Sequence, residues 1–252
     1  MNPKHSLQDL LELFRLNHSA LTIQDQAKEA ASKNLSHLAF LENLLSQEAS
    51  IRHKRVVQLR IAQSKLPVIK TIDTFDWAHP TSIPKQLILN AFSFDFVEKK
   101  ENFILLGPSG LGKSHVAQAL TYAACQKEFK TLWTTAADLV NTLTAAKADR
   151  SLSRVIKHYA APKLLAIDEL GFLPMDKDGS DLFFQIISHR YEQGSVVLTT
   201  NRAFKDWGKI FNDNTVATAI VDRLVHHGEV AKIEGTSYRV KNRKEKPTQS
   251  AG

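Results

Sequence analysis

Cysteine is almost absent from this sequence, which holds one, Cys125, among its 252 residues. A single cysteine excludes an intrachain disulfide, and it excludes zinc motifs built on pairs of CxxC segments. This scarcity is typical of a protein from a reducing compartment, so we expect a cytoplasmic protein. Cys125 lies late in a predicted helix, and we interpret it as a core residue rather than a nucleophile.

Long apolar runs are absent as well. No stretch approaches the ~20 consecutive apolar residues that a membrane-spanning helix needs, so we expect no membrane partner. The first residues, Met1 to His5, precede no apolar segment of the kind found in signal peptides. With 43% hydrophobic and 23% charged residues, the composition is that of a globular protein with a substantial core.

One local motif dominates the chain. Gly107–Ser114 fits the pattern G-x-x-x-x-G-K-[ST] between a predicted strand, Asn102–Leu106, and a predicted helix that follows. This arrangement aims backbone N–H groups and the positive end of a helix dipole at one point, where a polyphosphate binds. Lys113 is expected to reach the β- and γ-phosphates, and the Ser114 hydroxyl to ligate Mg²⁺. The predicted nucleotide-binding residues are Gly107, Pro108, Ser109, Gly110, Leu111, Gly112, Lys113, Ser114 and His115.

The region before this motif divides into two parts. Residues 1–66 carry no strand signal and predict an all-α module, with helices over Ser6–Leu16, Ile23–Lys33 and about Ser36–Lys65. Ser6 and Asp9 have the spacing of a capping box. In the third helix, the inward-facing residues are predicted to be Leu38, Leu41, Leu45 and Ala49.

Residues 67–101 are predicted as a linker and the start of the next domain, because Pro67, Pro80 and Pro84 interrupt regular structure. Phe75 and Trp77 stand out in this part. They either form a wall of an adenine pocket or pack in the core, and the sequence favours the core.

From Asn102 onward, strands alternate with helices. Predicted strands cover Asn102–Leu106, Lys130–Trp133, Lys163–Asp168 and Ser195–Asn201, and predicted helices cover Ala136–Lys147, Ser151–Ala160 and Ser180–Tyr191. Near-continuous apolar strands of this kind predict an α/β fold, a parallel sheet with helices on both faces. We assign residues 102–240 to this core and residues 241–252 to a basic tail whose composition predicts disorder.

Polar residues follow several of these strands, where ligands bind in parallel sheets. Asp168 is expected to hold Mg²⁺ together with Ser114. Glu169 is expected to orient and deprotonate an attacking water, which Asn201 would position against the γ-phosphate. The alternative for the acidic pair is an ordinary turn at the end of a strand.

Phosphoryl transfer generally needs a further cation on the γ-phosphate, often an arginine from a neighbouring subunit. Arg223 is the best candidate, and Arg239 is the second. For both, an ordinary surface salt bridge is the alternative. With Arg223 acting in trans, the predicted catalytic residues are Lys113, Glu169, Asn201 and Arg223.

Four segments, GPSGLGKSH, LLAIDELG, VVLTTN and AIVDRL, together resemble the IstB-like ATPases. These are transposition helper proteins of the AAA+ superfamily, similar to DnaC-type helicase loaders and more distantly to DnaA. The resemblance covers roughly Ile72–Val240 and extends to the N-terminal helical module. It implies a P-loop AAA+ fold, ATP and Mg²⁺ as cofactors, homo-oligomers on duplex DNA, and a transposase as partner. The residues after His227 are too few for a full helical lid domain.

The same resemblance implies roles for single residues. Lys113 and Ser114 correspond to the Walker A motif, and Asp168 and Glu169 to the Walker B motif. Asn201 corresponds to sensor 1. The resemblance places Arg223 at the arginine-finger position. It places Arg239 at a position like that of sensor 2, which adds Arg239 to the predicted nucleotide-binding residues.

The net charge of +7 and the pI of about 9.4 favour a polyanionic partner. The predicted DNA-binding residues are Lys147, Arg150, Arg154 and Lys157. In one continuous helix these four would fall within about 80° of each other. The alternative is a solvated face of an amphipathic helix. No sequence-reading motif is present, so we expect contacts mainly to the DNA backbone, with steep salt dependence.

Two other functions remain open at this point. A helicase loader that prefers single strands would share every ATPase motif. A protein that uses ATP only as a switch for assembly, with negligible turnover, is a third hypothesis, and Glu169 and Asn201 argue against it.

Overall fold

A computed structural model describes residues 6–238 of the chain. The chain divides into two units, each with its own packing, the first ending at Leu59 and the second beginning at Arg60. The described residues form no helix that is long and apolar enough to cross a membrane.

The helices of the N-terminal region are α1 (Leu7–Leu13), α2 (Asn17–Ser32) and α3 (His37–Gln63). The capping box is confirmed: the Ser6 N–H donates to Asp9 Oδ2 at 2.9 Å, and the Asp9 N–H donates to Ser6 Oγ at 3.1 Å. The predicted start of α2 was wrong, because that helix begins at Asn17 rather than at Ile23.

The predicted inward face of α3 was also wrong. Leu38, Leu41 and Leu45 are 79%, 48% and 49% exposed, and Ala49 is exposed too. Their spacing is that of one helical face, but it is not the face that α3 buries.

The face of α3 that is buried contains Leu44 and Glu48. Glu48 Oε2 accepts hydrogen bonds from the N–H and the hydroxyl of Ser19, at 2.7 and 3.0 Å. Ser19 lies in the first turn of α2, where helix N–H groups lack partners within the helix. Burial alone would raise the pKa of Glu48, but hydrogen bonds from Ser19 and His18 outweigh it and hold the pKa below its usual range. A buried carboxylate on α3 thus caps α2.

In the second unit, the helices are α4 (Lys85–Ala91), α5 (Asp95–Glu98), α6 (Lys113–Gln126), α7 (Ala136–Ala148), α8 (Leu152–Ala160), α9 (Lys177–Arg190), α10 (Trp207–Phe211) and α11 (Asn214–Val225). The strands are β1 (Asn102–Leu106), β2 (Thr131–Thr135), β3 (Leu164–Leu170), β4 (Ser195–Thr200) and β5 (Gly228–Lys232). The motif-bearing strands and helices that the sequence predicted are all present, with ends that shift by a few residues.

The five strands form one parallel sheet in the order β2-β3-β4-β1-β5. Alternate strand residues face opposite sides: Leu165 and Ile167 pack with α7 to α11, whereas Leu164 and Ala166 pack with α4 to α6. The predicted three-layer αβα fold is confirmed. The sequence did not indicate β5, because Gly228 to Lys232 is half polar and pairs on one side with β1 alone.

The premise of one continuous helix through the basic residues was wrong. Helix α7 ends at Ala148, and α8 begins at Leu152. Between them Arg150 has a φ of 61°, the left-handed conformation that ends a helix. The calculated arc of about 80° therefore does not apply to Lys147, Arg150, Arg154 and Lys157.

Candidate functional site

The phosphate loop connects β1 to α6. Backbone conformation explains one of its glycines, and close packing explains another. Gly112 precedes α6 with a φ of 83°, a conformation that side chains rarely adopt. A Cβ on Gly107 would lie 2.1 Å from the carbonyl oxygen of Ile233, so the segment after β5 packs directly on the loop. Lys113 is 8% exposed, and its Nζ donates to the Pro108 carbonyl at 2.8 Å.

Asp168 lies on β3 beside the loop and is 6% exposed. The Ser114 hydroxyl donates to Asp168 Oδ1 at 2.9 Å, and the Thr199 hydroxyl donates to the same oxygen at 2.5 Å. The structure thus brings together the two residues predicted to hold Mg²⁺. It also adds Thr199 of β4, which the sequence reasoning missed.

Glu169 is the next residue along β3, and it is exposed. Its φ of 62° is left-handed, and the pairing of β3 with β4 shifts register between Ile167 and Leu170. This β-bulge turns the side chain of Glu169 out of the regular alternation of the strand. The Glu169 N–H, which the bulge removes from the ladder, donates to Thr199 Oγ1 at 3.0 Å.

Asn201 follows β4 at the same edge of the sheet. Its side-chain Oδ1 is buried and has no hydrogen-bond partner among the residues that the structure describes. A buried acceptor without a partner lowers the stability of the fold, so its presence indicates that a ligand or water binds there. Asn201 lines a cavity of about 100 Å³ together with Lys113, Ser114, Glu169 and Thr199.

A larger cavity of about 350 Å³ adjoins the other side of the loop. Phe75, His79 and Tyr238 line it, together with Lys113 and His115. Phe75 is only 7% exposed and belongs to the core cluster. The same ring therefore packs in the core and lines the cavity. The rings of His79 and Tyr238 meet edge to face with centroids 4.7 Å apart.

These observations fit a nucleoside triphosphate with a divalent cation. The loop forms a cradle that a Cβ would fill, and Ser114 and Asp168 offer the oxygen ligands that Mg²⁺ prefers. The larger cavity offers room for a base and sugar, and the smaller one lies between Lys113, Glu169 and Asn201. Of the predicted nucleotide-binding residues, Arg239 lies outside the described residues.

The site residues lie on one rim of the sheet, the edge formed by the carboxyl ends of its strands. The backbone of Arg223 lies far from this rim in its own chain. The Asn102 side-chain amide donates to the carbonyls of Arg223 and Leu224, at 3.3 and 3.1 Å, so the end of α11 lies at the amino end of β1. The phosphate loop starts at the other end of β1, about 13 Å away. The Arg223 guanidinium packs over the Phe184 ring, 4.8 Å from its centroid.

The four predicted DNA-binding residues are all exposed. Lys147 Nζ pairs with Asp178 Oδ2 of α9 at 2.8 Å, and both side chains are more than half exposed. Arg154 and Lys157 lie on the outer face of α8, whose inner face buries Ile156 and Tyr159. Together with Arg150 they present cations on the segment from the end of α7 to α8.

The strand order, the glycine loop on β1 and the acids on β3 define a P-loop ATPase with the AAA+ fold. The chain belongs to the IstB-like ATP binding protein family, whose model matches residues 9–246. ATP is therefore the nucleotide that this ATPase binds. The predicted family resemblance and fold class are both confirmed.

Relatives agree with this assignment, and solved structures share the fold. The chain is 38% identical over 240 residues to the "Insertion sequence IS21 putative ATP-binding protein" of Pseudomonas aeruginosa, covering 95% of this chain and 91% of that one. It is 39% identical over 242 residues to the "Insertion sequence IS232 putative ATP-binding protein" of Bacillus thuringiensis subsp. berliner, covering 95% and 97%. The crystal structure of the DnaC helicase loader shares the fold at a TM-score of 0.54 and 18% identity, covering 65% of this chain and 96% of that one. That of DnaI does so at 0.57 and 16%, covering 67% and 92%.

Proposed function

We propose that this ATPase assembles into oligomers on duplex DNA and assists a transposase in moving an insertion sequence. The observation that carries the proposal is the composition of the site. The rim holds a complete set of groups for binding ATP and orienting water, whereas the backbone of Arg223, the predicted extra cation, lies near the opposite edge of the sheet. The relatives named above are ATP-binding proteins of insertion sequences, which supports transposition as the context.

The residues of the rim have distinct roles in this proposal. Lys113 neutralises charge on the β- and γ-phosphates, and Ser114 and Asp168 hold Mg²⁺. The metal supplies further charge neutralisation when bound. Glu169 accepts a proton from the attacking water, and the orphaned Oδ1 of Asn201 accepts a hydrogen bond from that water. Positioning and electrostatics supply most of the acceleration.

Assembly follows from the position of Arg223. Among the described residues that line the smaller cavity, Lys113 is the only cation. Because the backbone of Arg223 lies about 13 Å along β1 from its own loop, we assign its guanidinium to the site of another subunit. ATP bound between two subunits would then favour the assembled state.

Mixing two inactive variants tests this arrangement. Arg223→Ala leaves the nucleotide site intact but removes the cation, whereas Lys113→Ala damages the site but keeps Arg223. We expect each variant alone to have little ATPase activity. A 1:1 mixture should recover about a quarter of the wild-type rate, because that share of random interfaces pairs an intact site with an intact arginine. A mixture no more active than either variant alone would contradict action in trans.

DNA binding rests on exposed cations in the segment from α7 to α8. Arg150, Arg154 and Lys157 lie on it close together in sequence, and Asp149 is the one acid among them. They belong to a loop and a helix rather than to a groove-reading motif, which suits contacts to phosphates. Lys147 is paired with Asp178, so we expect it to contribute less than the other three.

The decisive experiment compares two forms of DNA. We expect duplex DNA to promote ATP-dependent assembly and ATPase activity more than single strands of equal length. Assembly is followed by light scattering or electron microscopy, and turnover by phosphate release. Stronger stimulation by single strands would support a helicase loader instead. ATP-dependent assembly without turnover would support the switch hypothesis.

The double variant Arg154→Ala/Lys157→Ala localises the contact. It should weaken duplex binding at every sequence and reduce the slope of log K against log salt by about 2, because two phosphate contacts are lost. The matched control, Lys177→Ala/Lys205→Ala, removes two exposed lysines elsewhere on the second unit. If control and test variants bind DNA alike, the segment from α7 to α8 is not the DNA contact.

A further inference from the structure

We infer that Thr199 is a positioning residue that fixes the two acids of the ATPase site relative to each other. The inference rests on the proposed roles of Asp168 and Glu169. Thr199 lies in β4, next to the bulge in β3, and is 1% exposed. Its hydroxyl contacts both acidic residues, one through the side chain and the other through the backbone.

The direction of these hydrogen bonds is determined. The Glu169 N–H can only donate, so it occupies a lone pair of Thr199 Oγ1, at 3.0 Å. The single hydroxyl proton of Thr199 is then free to point to Asp168 Oδ1, at 2.5 Å. The chain from the Glu169 N–H through Thr199 to Asp168 is directional, and its two bonds strengthen each other in a buried site.

Each bond constrains one predicted function. The donation to Asp168, together with that from Ser114, fixes the orientation of a carboxylate that is expected to ligate Mg²⁺. The bond from the Glu169 N–H holds a left-handed residue at a bulge, a conformation that is unfavourable and persists only where its surroundings enforce it. That conformation directs the Glu169 side chain toward the small cavity, which both residues line.

Thr199→Val tests the inference, because it keeps the shape of the side chain and removes both bonds. We expect the ATP turnover number to fall by about 10- to 100-fold, as when a group that orients a metal ligand is lost. We also expect the Mg²⁺ concentration that half-saturates the tightening of a fluorescent ATP analogue to rise by about 10-fold. Binding of the analogue in EDTA should stay unchanged, since the phosphate loop is intact. Thr199→Ser restores the hydroxyl and should return both quantities close to wild type.

The control is Thr131→Val. Thr131 is 3% exposed and lies at the amino end of β2, away from the rim, where its hydroxyl contacts Cys125. This variant measures how much turnover and stability fall when a buried strand hydroxyl outside the site is lost. Thermal melting of every variant separates folding defects from site defects, and Thr199→Ala replaces the valine variant if that one does not fold.

Two results would overturn the inference. One is a folded Thr199→Val protein with wild-type turnover and a wild-type Mg²⁺ midpoint. The other is a folded Thr199→Ser protein as impaired as the valine variant. Glu169→Gln, measured in parallel, separates this failure from that of the proposed site. If Glu169→Gln stalls hydrolysis while Thr199→Val does not, only the role of Thr199 is refuted.

Discussion

Glu169→Gln is expected to lower the ATP turnover number by roughly 10²- to 10⁴-fold, the usual contribution of a general base. Glutamine keeps the size of the side chain and one acceptor oxygen but cannot accept a proton from water. The phosphate loop, Asp168 and the bulge backbone are untouched, so ATP binding should remain close to wild type. ATP-bound assemblies should then persist on DNA rather than turn over.

Phosphate release under saturating ATP measures the turnover, and equilibrium binding of a fluorescent ATP analogue measures the affinity. Glu229→Gln is the matched control, because Glu229 is an exposed carboxylate on the edge strand β5. It should leave both quantities unchanged. Wild-type turnover in Glu169→Gln would show that Glu169 is not the general base of the proposed mechanism.

The second large effect concerns stability rather than catalysis. Arg190, at the end of α9, is 1% exposed. Its Nη1 donates to the carbonyls of Tyr159, Ala160 and Pro162, and its Nη2 donates to those of Lys163 and Ser195, at 2.7 to 3.2 Å. Burial lowers the pKa of this guanidinium to about 10, so it is charged at neutral pH. Arg190 thus hydrogen-bonds to the end of α8, to the residues just before β3 and to the start of β4.

Arg190→Met should destabilise the second unit by about 3 to 5 kcal/mol, because five carbonyls, three of them in fully buried hydrogen bonds, lose the hydrogen bond from this guanidinium. The unfolding midpoint should fall on the order of 10 °C. Thermal or urea unfolding followed by circular dichroism measures the change. Lys177→Met, an exposed site on the same helix, is the control and should cost less than about 0.5 kcal/mol. Equal midpoints for the two variants would show that the buried contacts of Arg190 are dispensable.

Much of the ATPase site could be predicted because its parts are local. Eight consecutive residues from Gly107 to Ser114 specify a loop, and the apolar run before Asp168 specifies a strand with an acid near its end. The rule that ligands bind at the carboxyl ends of parallel strands then brings Asn201 to the same edge. Prediction failed where position depends on packing: the inward face of α3 is set by Glu48 meeting Ser19, a contact between helices far apart in sequence.

By itself, the sequence determined the fold class, the family, the nucleotide loop and the acids on β3, since each depends on a short pattern whose backbone geometry is nearly fixed. Only the tertiary structure decided which threonine of β4 meets both acids, because that depends on a bulge that shifts the register between β3 and β4. It also separated Arg150 from a continuous helix and buried Arg190, a residue that in sequence is an ordinary cation at a helix end. Burial, register and the distance of Arg223 from its own loop are properties of the packed sheet, and no local pattern carries them.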